Sequence, residues 1–469
     1  MMTTEPAAPR PTVVIAGATG FVGRALAHAL APDHHVVGLS RGAREPDADV
    51  AAWRACDLFS LLDAERALEG AELAVYLVHS MMPSAHLTQG SFRDFDLVCA
   101  DNFARAARKA GARQIVYLGG LTPAGEHLSA HLASRLEVEQ ALEGCGVPVT
   151  TLRAGLVIGP GGSSFEMLRR LVERLPAMLC PVWTSTRMQP IALADVVSLL
   201  RYVLGREACF GQNYDVGSPD VLNYRELLGL TGALLGHRRA MYPVPFLTVG
   251  LSRLWVRLIT GAPLDLVGPL VESLEHEMVA GDRRLQAMAG LPGLGARAAL
   301  ELALAPAPSS SPPPRAPIAF RPSSPRAARR VRSVQRMRLP PGRDAAWAAE
   351  EYVRWLPTFF RGLLRVDVDA ARVCRFRFVG VGVLLELTPA PARSTPDRQL
   401  FYVTGGALAR PTKRARFELR QVLDGTVLLA AIHDFEPRLP WPVYTLTQAP
   451  FHKLVMLAFG RHLARAPRI

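Results

Sequence analysis

The residues with the clearest chemical purpose are Gly17, Gly20 and Gly23, at the spacing G-x-x-G-x-x-G. Val13 to Ala16 before them reads as a short buried strand, and Arg24 to Leu30 after them reads as a helix that puts Val22, Leu26 and Ala29 or Leu30 on one face. A glycine turn between a strand and a helix can hold a phosphate ester, because helix-terminal N–H groups point outward and carry partial positive charge. In that use Gly17 makes the tight turn, Gly20 lets the backbone approach a pyrophosphate, and Gly23 lets helix and strand pack closely. Thr19, Phe21 and Val22 complete the loop. The competing reading is an ordinary glycine-rich turn. The strand before and the helix after favour dinucleotide binding.

Several further elements must position this turn. Val36 to Arg41 reads as a second strand, a short third strand leads into Cys56-Asp57-Leu58, and Leu73 to Val78 reads as a fourth ending in His79-Ser80. A helix from Phe92 to Ala110, a strand from Gln114 to Leu118 and a strand from Val149 to Leu152 follow. Strand, helix, strand at this pitch predicts an α/β fold with a doubly wound parallel sheet. Ligands of such sheets lie beyond the carboxyl ends of the strands, which turns His79 and Ser80 toward cofactor or substrate. An Asp or Glu at the end of the second strand would mark NAD. Here the strand ends in Ser40-Arg41, with Arg44 close by. A guanidinium pairs with a 2′-phosphate that a carboxylate would repel, so NADP(H) is favoured over NAD(H). The alternative for Arg41 is a plain surface arginine.

The glycine turn resembles that of extended and atypical short-chain dehydrogenases/reductases, NAD(P)-binding Rossmann proteins related to NAD-dependent epimerases/dehydratases and to a complex I accessory subunit. Three later segments strengthen the resemblance: Arg153 to Gly161, like R-x-G-x-x-x-G-P-G; Gln189 to Val197, like P-I-x-x-x-D-V with Asp195 near a helix start; and Tyr214 to Gly217. The resemblance covers roughly residues 11–300. It implies a mostly helical substrate lobe over the cofactor, built from 160–188 and 218–300. It places Asp57 and Leu58 by the adenine, although Asp57 could instead cap the helix beginning near Ser60. Members of the family use a Ser or Thr after the fifth strand, matched by Thr122, and a Tyr-x-x-x-Lys on the next helix. Aligning on Glu137-Val138-Glu139 puts His131 in the tyrosine slot and Arg135 in the lysine slot. The catalytic candidates are therefore His131, Arg135 and Thr122, with Arg135 also a candidate for the nicotinamide ribose. The departure matches the atypical members and puts the usual acid/base chemistry in doubt.

At 469 residues the chain calls for two or three domains. No apolar run reaches a membrane span, and Met1 to Pro11 has no signal-peptide core. Six scattered cysteines argue against a disulfide framework and a zinc site, and so for a reducing, cytoplasmic setting. The formal charge is +13, with eight arginines and no acid between Arg315 and Arg338. Such a run can meet nucleic acid or anionic lipid, yet no nucleic-acid-binding motif accompanies it, and a solvated connector is the preferred reading. Pro243 to Phe246 and Leu251 to Ile259 could line an apolar pocket or make a peripheral membrane contact, with ordinary core packing the preferred reading.

The domain reading is a nucleotide-binding domain over 11–303, a Pro/Ser/Arg-rich connector over 304–334 and an α+β domain over 335–469. The last shows a helix from Ala345 to Leu364, strand-like runs, an Asp424-Gly425 hairpin and a final helix from Tyr444 to Ala464. That element order is similar to helix-grip, START-like ligand-binding domains. His433, Asp434, His452 and His462 stand out there without metal-ligand spacing. The functional expectation is an NAD(P)H-binding oxidoreductase acting on an apolar carbonyl or quinone-like substrate. The alternatives are a non-catalytic redox sensor or assembly/accessory factor using the nucleotide, and nucleotide-sugar epimerase or dehydratase chemistry.

Overall fold

The computed structural model describes residues 10–79, 87–123, 128–237, 239–244, 250, 254, 257–259, 261, 264–305 and 330–466. Ser80, most of the stretch 245–260 and the Pro/Ser-rich run 306–325 lie outside them. The chain forms two compact units, one from residues 1–81 and 99–318 and the other from 82–98 and 319–469.

The first unit is built on β1 (Thr12–Ala16), β2 (His35–Ser40), β3 (Ala52–Ala55), β4 (Leu73–Tyr76), β6 (Gln114–Gly120) and β7 (Val149–Ala154), together with Asn213–Val216; β5 (Leu87–Gln89) belongs to the second unit. The seven strands are all parallel, in the order Asn213–Val216, β7, β6, β4, β1, β2, β3. Because helices cover both faces, β1 and β4 are buried almost throughout and read as continuous apolar runs. On one face α1 (Phe21–Leu30) lies beside α6 (Leu193–Val203), with Leu26, Leu30, Val196 and Leu200 in one core. On the other, Phe103 of α3 (Phe92–Ala110) packs its ring 5.0 Å from Tyr76. The chain leaves β1 toward β2 and β3, then crosses back to place β4 on β1's other side. This reversal opens a crevice at the carboxyl ends of β1 and β4.

The lobe beyond β7 contains α5 (Ser163–Arg174), α7 (Tyr224–Leu234) and the helices Leu264–Ser273 and Ala296–Leu304. It also contains three two-stranded ladders that the helical expectation missed, the longest pairing Ala177–Pro181 with Ala240–Val244. The segments that carried the family resemblance have structural jobs. Arg153 Nε donates to Glu139 at 3.1 Å, tying β7 to α4 (Ala130–Glu143), and Asp195 accepts from Leu294 N at 2.7 Å.

The second unit is an antiparallel sheet ordered Leu364–Val368, Cys374–Phe378, Gly382–Pro389, Arg398–Gly405, Arg416–Val422, Val427–Pro437, Val331–Arg338, with β5 added in parallel at the end. Helices Ala345–Phe359 and Gln448–Ala464 share an apolar core with the sheet, including Trp355, Leu419, Leu428 and Phe459. Two expectations are corrected. Val331–Arg338 is a strand that starts inside the stretch read as connector. Val331, Ser333, Gln335 and Met337 are buried there, while Arg332 and Arg336 meet Asp434 (3.3 Å) and Asp94 (2.8 Å). The final helix is broken at Thr447 into Trp441–Leu446 and Gln448–Ala464. Pro450 explains the break: it lacks an N–H, and its ring would clash with the carbonyl of Leu446 in a continuous helix.

Behind the strands Arg398–Gly405, Arg416–Val422 and Val427–Pro437 lies a buried charge cluster. Glu418 accepts from Arg398 Nε and Arg420 Nε, each at 2.7 Å, and His433 Nε2 lies 3.2 Å from its other oxygen. Burial holds the His433 imidazole down at about 4, so it is neutral there.

Candidate functional site

Gly17 has φ +89°, a backbone only glycine adopts without strain, and a Cβ on it would stand 2.8 Å from the carbonyl oxygen of Leu77 just beyond β4. Gly20 N donates to Gly17 O at 2.8 Å and is the N-cap of α1. It has no side chain to cap the helix, and the first turn of α1 holds no acid. That end of α1 therefore offers N–H groups and partial positive charge at the crevice, an arrangement able to accept a phosphate. Thr19 and Gly20 are exposed, Phe21 and Val22 partly buried and Gly23 buried. The Phe21 ring is pinned by the loop after β7, since a Cβ on Gly159 would lie 2.9 Å from it.

The other candidates are distributed over neighbouring strand ends. Arg41 follows β2 and is exposed. Arg44 lies over the Trp53 ring of β3, with its guanidinium carbon 5.3 Å from the ring centroid. Asp57 follows β3 and accepts from Phe59 N at 3.2 Å, while Ser60 caps α2 (Leu61–Ala67), accepting from Asp63 N. The capping role considered for Asp57 thus falls to Ser60. Leu58 is partly buried, and its carbonyl accepts from Asn102 Nδ2 at 2.8 Å.

His79 beyond β4 and His131 and Arg135 on α4 are brought together. Both imidazoles are pushed down to about 3, by desolvation first and then by the Arg135 guanidinium, and His79 acts on His131 as well. His79 keeps an exposed face. Arg135 is buried against β6, its Cγ 3.6 Å from where a Cβ of Gly120 would stand. Thr122 is exposed two residues past β6 and does not line the pocket beside His131.

That pocket opens where β6 and β7 end, at Gly120, Ala154 and Gly155. His131, Ser164 and Ser273 contribute its polar groups, and most of the rest is apolar, with Met167, Trp183, Tyr224 and Val271 among the lining. Trp183 and Tyr224 meet edge to face at 6.2 Å. His131 Nδ1 lies 3.2 Å from Ser273 Oγ, which lies 3.1 Å from Ser129 Oγ; Ser129 caps α4 and accepts from Leu132 N. The neutral imidazole can accept a proton or orient a polar group. Sequence reasoning singled out neither Ser273 nor Trp183, since neither sits in a motif. Among the described residues no cluster of His, Cys, Asp and Glu could hold a metal, and no helix is long and apolar enough to cross a membrane.

Residues 13–217 match the model of the NAD dependent epimerase/dehydratase family. The chain is 31% identical over 113 residues to "Auxiliary protein GraX" of Staphylococcus aureus, covering 24% of this chain and 37% of that protein. It is 31% identical over 197 residues to "Ceramide reductase" of Caulobacter vibrioides, covering 41% of this chain and 60% of that protein. The chain thus spans less than two thirds of the length of either relative. The crystal structure of the Citrobacter sp. triphenylmethane reductase complexed with NADP(H) aligns with a TM-score of 0.50 at 19% identity, over 62% of this chain and all of that one. The likeness is one of fold.

Proposed function

We propose that the first unit binds NADP(H) and that the protein is an oxidoreductase acting on an apolar carbonyl or quinone-like acceptor. The observation that carries the reading is the apolar pocket at the ends of β6 and β7, with the neutral His131 on its edge. The uncapped end of α1 and the glycine turn fit a pyrophosphate. Arg41 is assigned to the 2′-phosphate, Asp57 and Leu58 to the adenine side, and Arg135 with His79 to the nicotinamide side. When bound, NADPH supplies a hydride. His131 starts neutral, so it does not deliver a proton as an imidazolium. It holds the acceptor oxygen as a hydrogen-bond donor, or takes a proton in the reverse direction, with Ser273 fixing its ring. Acceptors whose reduced form takes protons from water, such as quinones, suit that arrangement best. Two names agree with the reading: one relative is called a ceramide reductase, and one structure of like fold holds NADP(H).

The test is nucleotide binding by calorimetry, followed by NADPH oxidation with quinones and long-chain carbonyls. Turnover that falls on His131→Ala supports the reading. Tight nucleotide binding without turnover of any acceptor favours the non-catalytic sensor or accessory role.

A further inference from the structure

The second unit holds a cavity of its own. Leu387, Val403, Phe417 and Ile432 of the sheet form one side, and Tyr352 and Val455 of the two long helices form the other. No charged side chain is among its lining. Besides the tyrosines Tyr352 and Tyr444, its lining includes two polar side chains from one helix face, Gln448 and His452, which are one turn apart. The Gln448 side-chain oxygen is buried with no hydrogen-bond partner among the described residues. His452 has no hydrogen-bond partner among the described residues, and burial pushes its imidazole down to about 4, leaving it neutral with one donor and one acceptor. A buried amide left unpaired in an apolar wall is costly, and a bound polar group would relieve that cost. The mouth is apolar too. Phe360 and Phe451 face each other at 5.8 Å, and Phe451 is 51% exposed. Beside them Leu363 and Val379, both more than half exposed, are joined by a backbone hydrogen bond of 3.0 Å.

We infer that this cavity is a binding site for a neutral amphiphile, a molecule with an apolar body and a single uncharged hydroxyl or amide head held by Gln448 and His452. A carboxylate or phosphate head would be buried without a counter-charge, so anionic amphiphiles are rejected. The site lies wholly in the second unit and does not depend on the nucleotide reading of the first.

The test is calorimetric titration of the full-length protein with decan-1-ol and, separately, with sodium decanoate at pH 8. The alcohol should bind saturably at one site, and decanoate at least ~10-fold more weakly. Gln448→Leu should weaken the alcohol about 10-fold, and Val403→Trp, which fills the cavity, should remove binding. Absence of saturable alcohol binding overturns the inference, as does decanoate binding equal to the alcohol. Alcohol affinity unchanged in Gln448→Leu, or surviving Val403→Trp, also overturns it and points to the apolar pocket of the first unit. Should Val403→Trp not fold, Gln448→Leu decides the matter alone.

Discussion

A Cβ on Gly23 would stand 2.1 Å from the carbonyl oxygen of Gly17. Two glycines six residues apart thus set the distance at which α1 meets the turn, and the obstacle is backbone, which cannot rotate away. Gly23→Ala should destabilise the first unit by about 1–3 kcal/mol, the cost of overpacking a tight contact, and weaken nucleotide binding by displacing the end of α1. Gly42, with open space around its missing Cβ, is the control: Gly42→Ala should change neither. Urea denaturation and calorimetry of both variants check this, and equal behaviour of the pair would show that the close approach is not needed.

Cofactor choice rests on Arg41 at the end of β2. Arg41→Asp should weaken NADPH binding by about 1.5–3 kcal/mol, the worth of a charge-assisted contact, and leave NADH binding nearly unchanged. Wild-type protein that binds NADH as tightly as NADPH would end the assignment.

Glu418 is the shared partner of Arg398 and Arg420. Burial alone would favour its protonated form, but the two guanidinium groups outweigh burial and hold its carboxyl well below the usual range. Its contribution to stability is therefore present above the ordinary carboxylate pKa and is lost only as pH falls through the depressed folded value. Glu418→Ala should cost about 3–5 kcal/mol, because it leaves buried arginines without their carboxylate. Denaturation of the variant at pH 7, and of the wild type from pH 7 downward, checks both. A change under about 1 kcal/mol would mean that solvent reaches the cluster.

What the sequence revealed of this fold was local. The apolar run of β1, the glycine spacing and the bounds of α3 at Phe92 and Ala110 are each set within a few neighbouring residues. His131 and Arg135 could be found because they sit one turn apart on a helix anchored by Glu139. Ser273 could not, because it reaches His131 across 142 positions and no motif marks it. The strand Val331–Arg338 was hidden by its arginines, which look like a solvated run until Asp94 and Asp434 are brought to them. Its partner β5 lies more than 240 residues away, a pairing that no local pattern encodes.

The proximity of His131 and Arg135 yields the sharpest test of the catalytic reading. An ordinary histidine titrates near 6.5. Here desolvation, and then the guanidinium, push His131 down to about 3. If the neutral imidazole serves the reaction, activity should show no acid limb from His131 between pH 5 and 8. Replacing the cation by a neutral amide, Arg135→Gln, removes one of the forces against the imidazolium. The pKa of His131 must then rise, and the acid limb should move up toward or into that range. The profile is read as kcat at saturating nucleotide, so that weaker cofactor binding by the variant does not mimic it. His131→Ala should lower kcat roughly 100-fold with nucleotide affinity little changed, and should abolish any limb that Arg135→Gln creates. A wild-type inflection near 6.5 that disappears in His131→Ala would show that the imidazole is ordinary and solvated. Activity untouched by both substitutions would leave hydride transfer to cofactor placement alone.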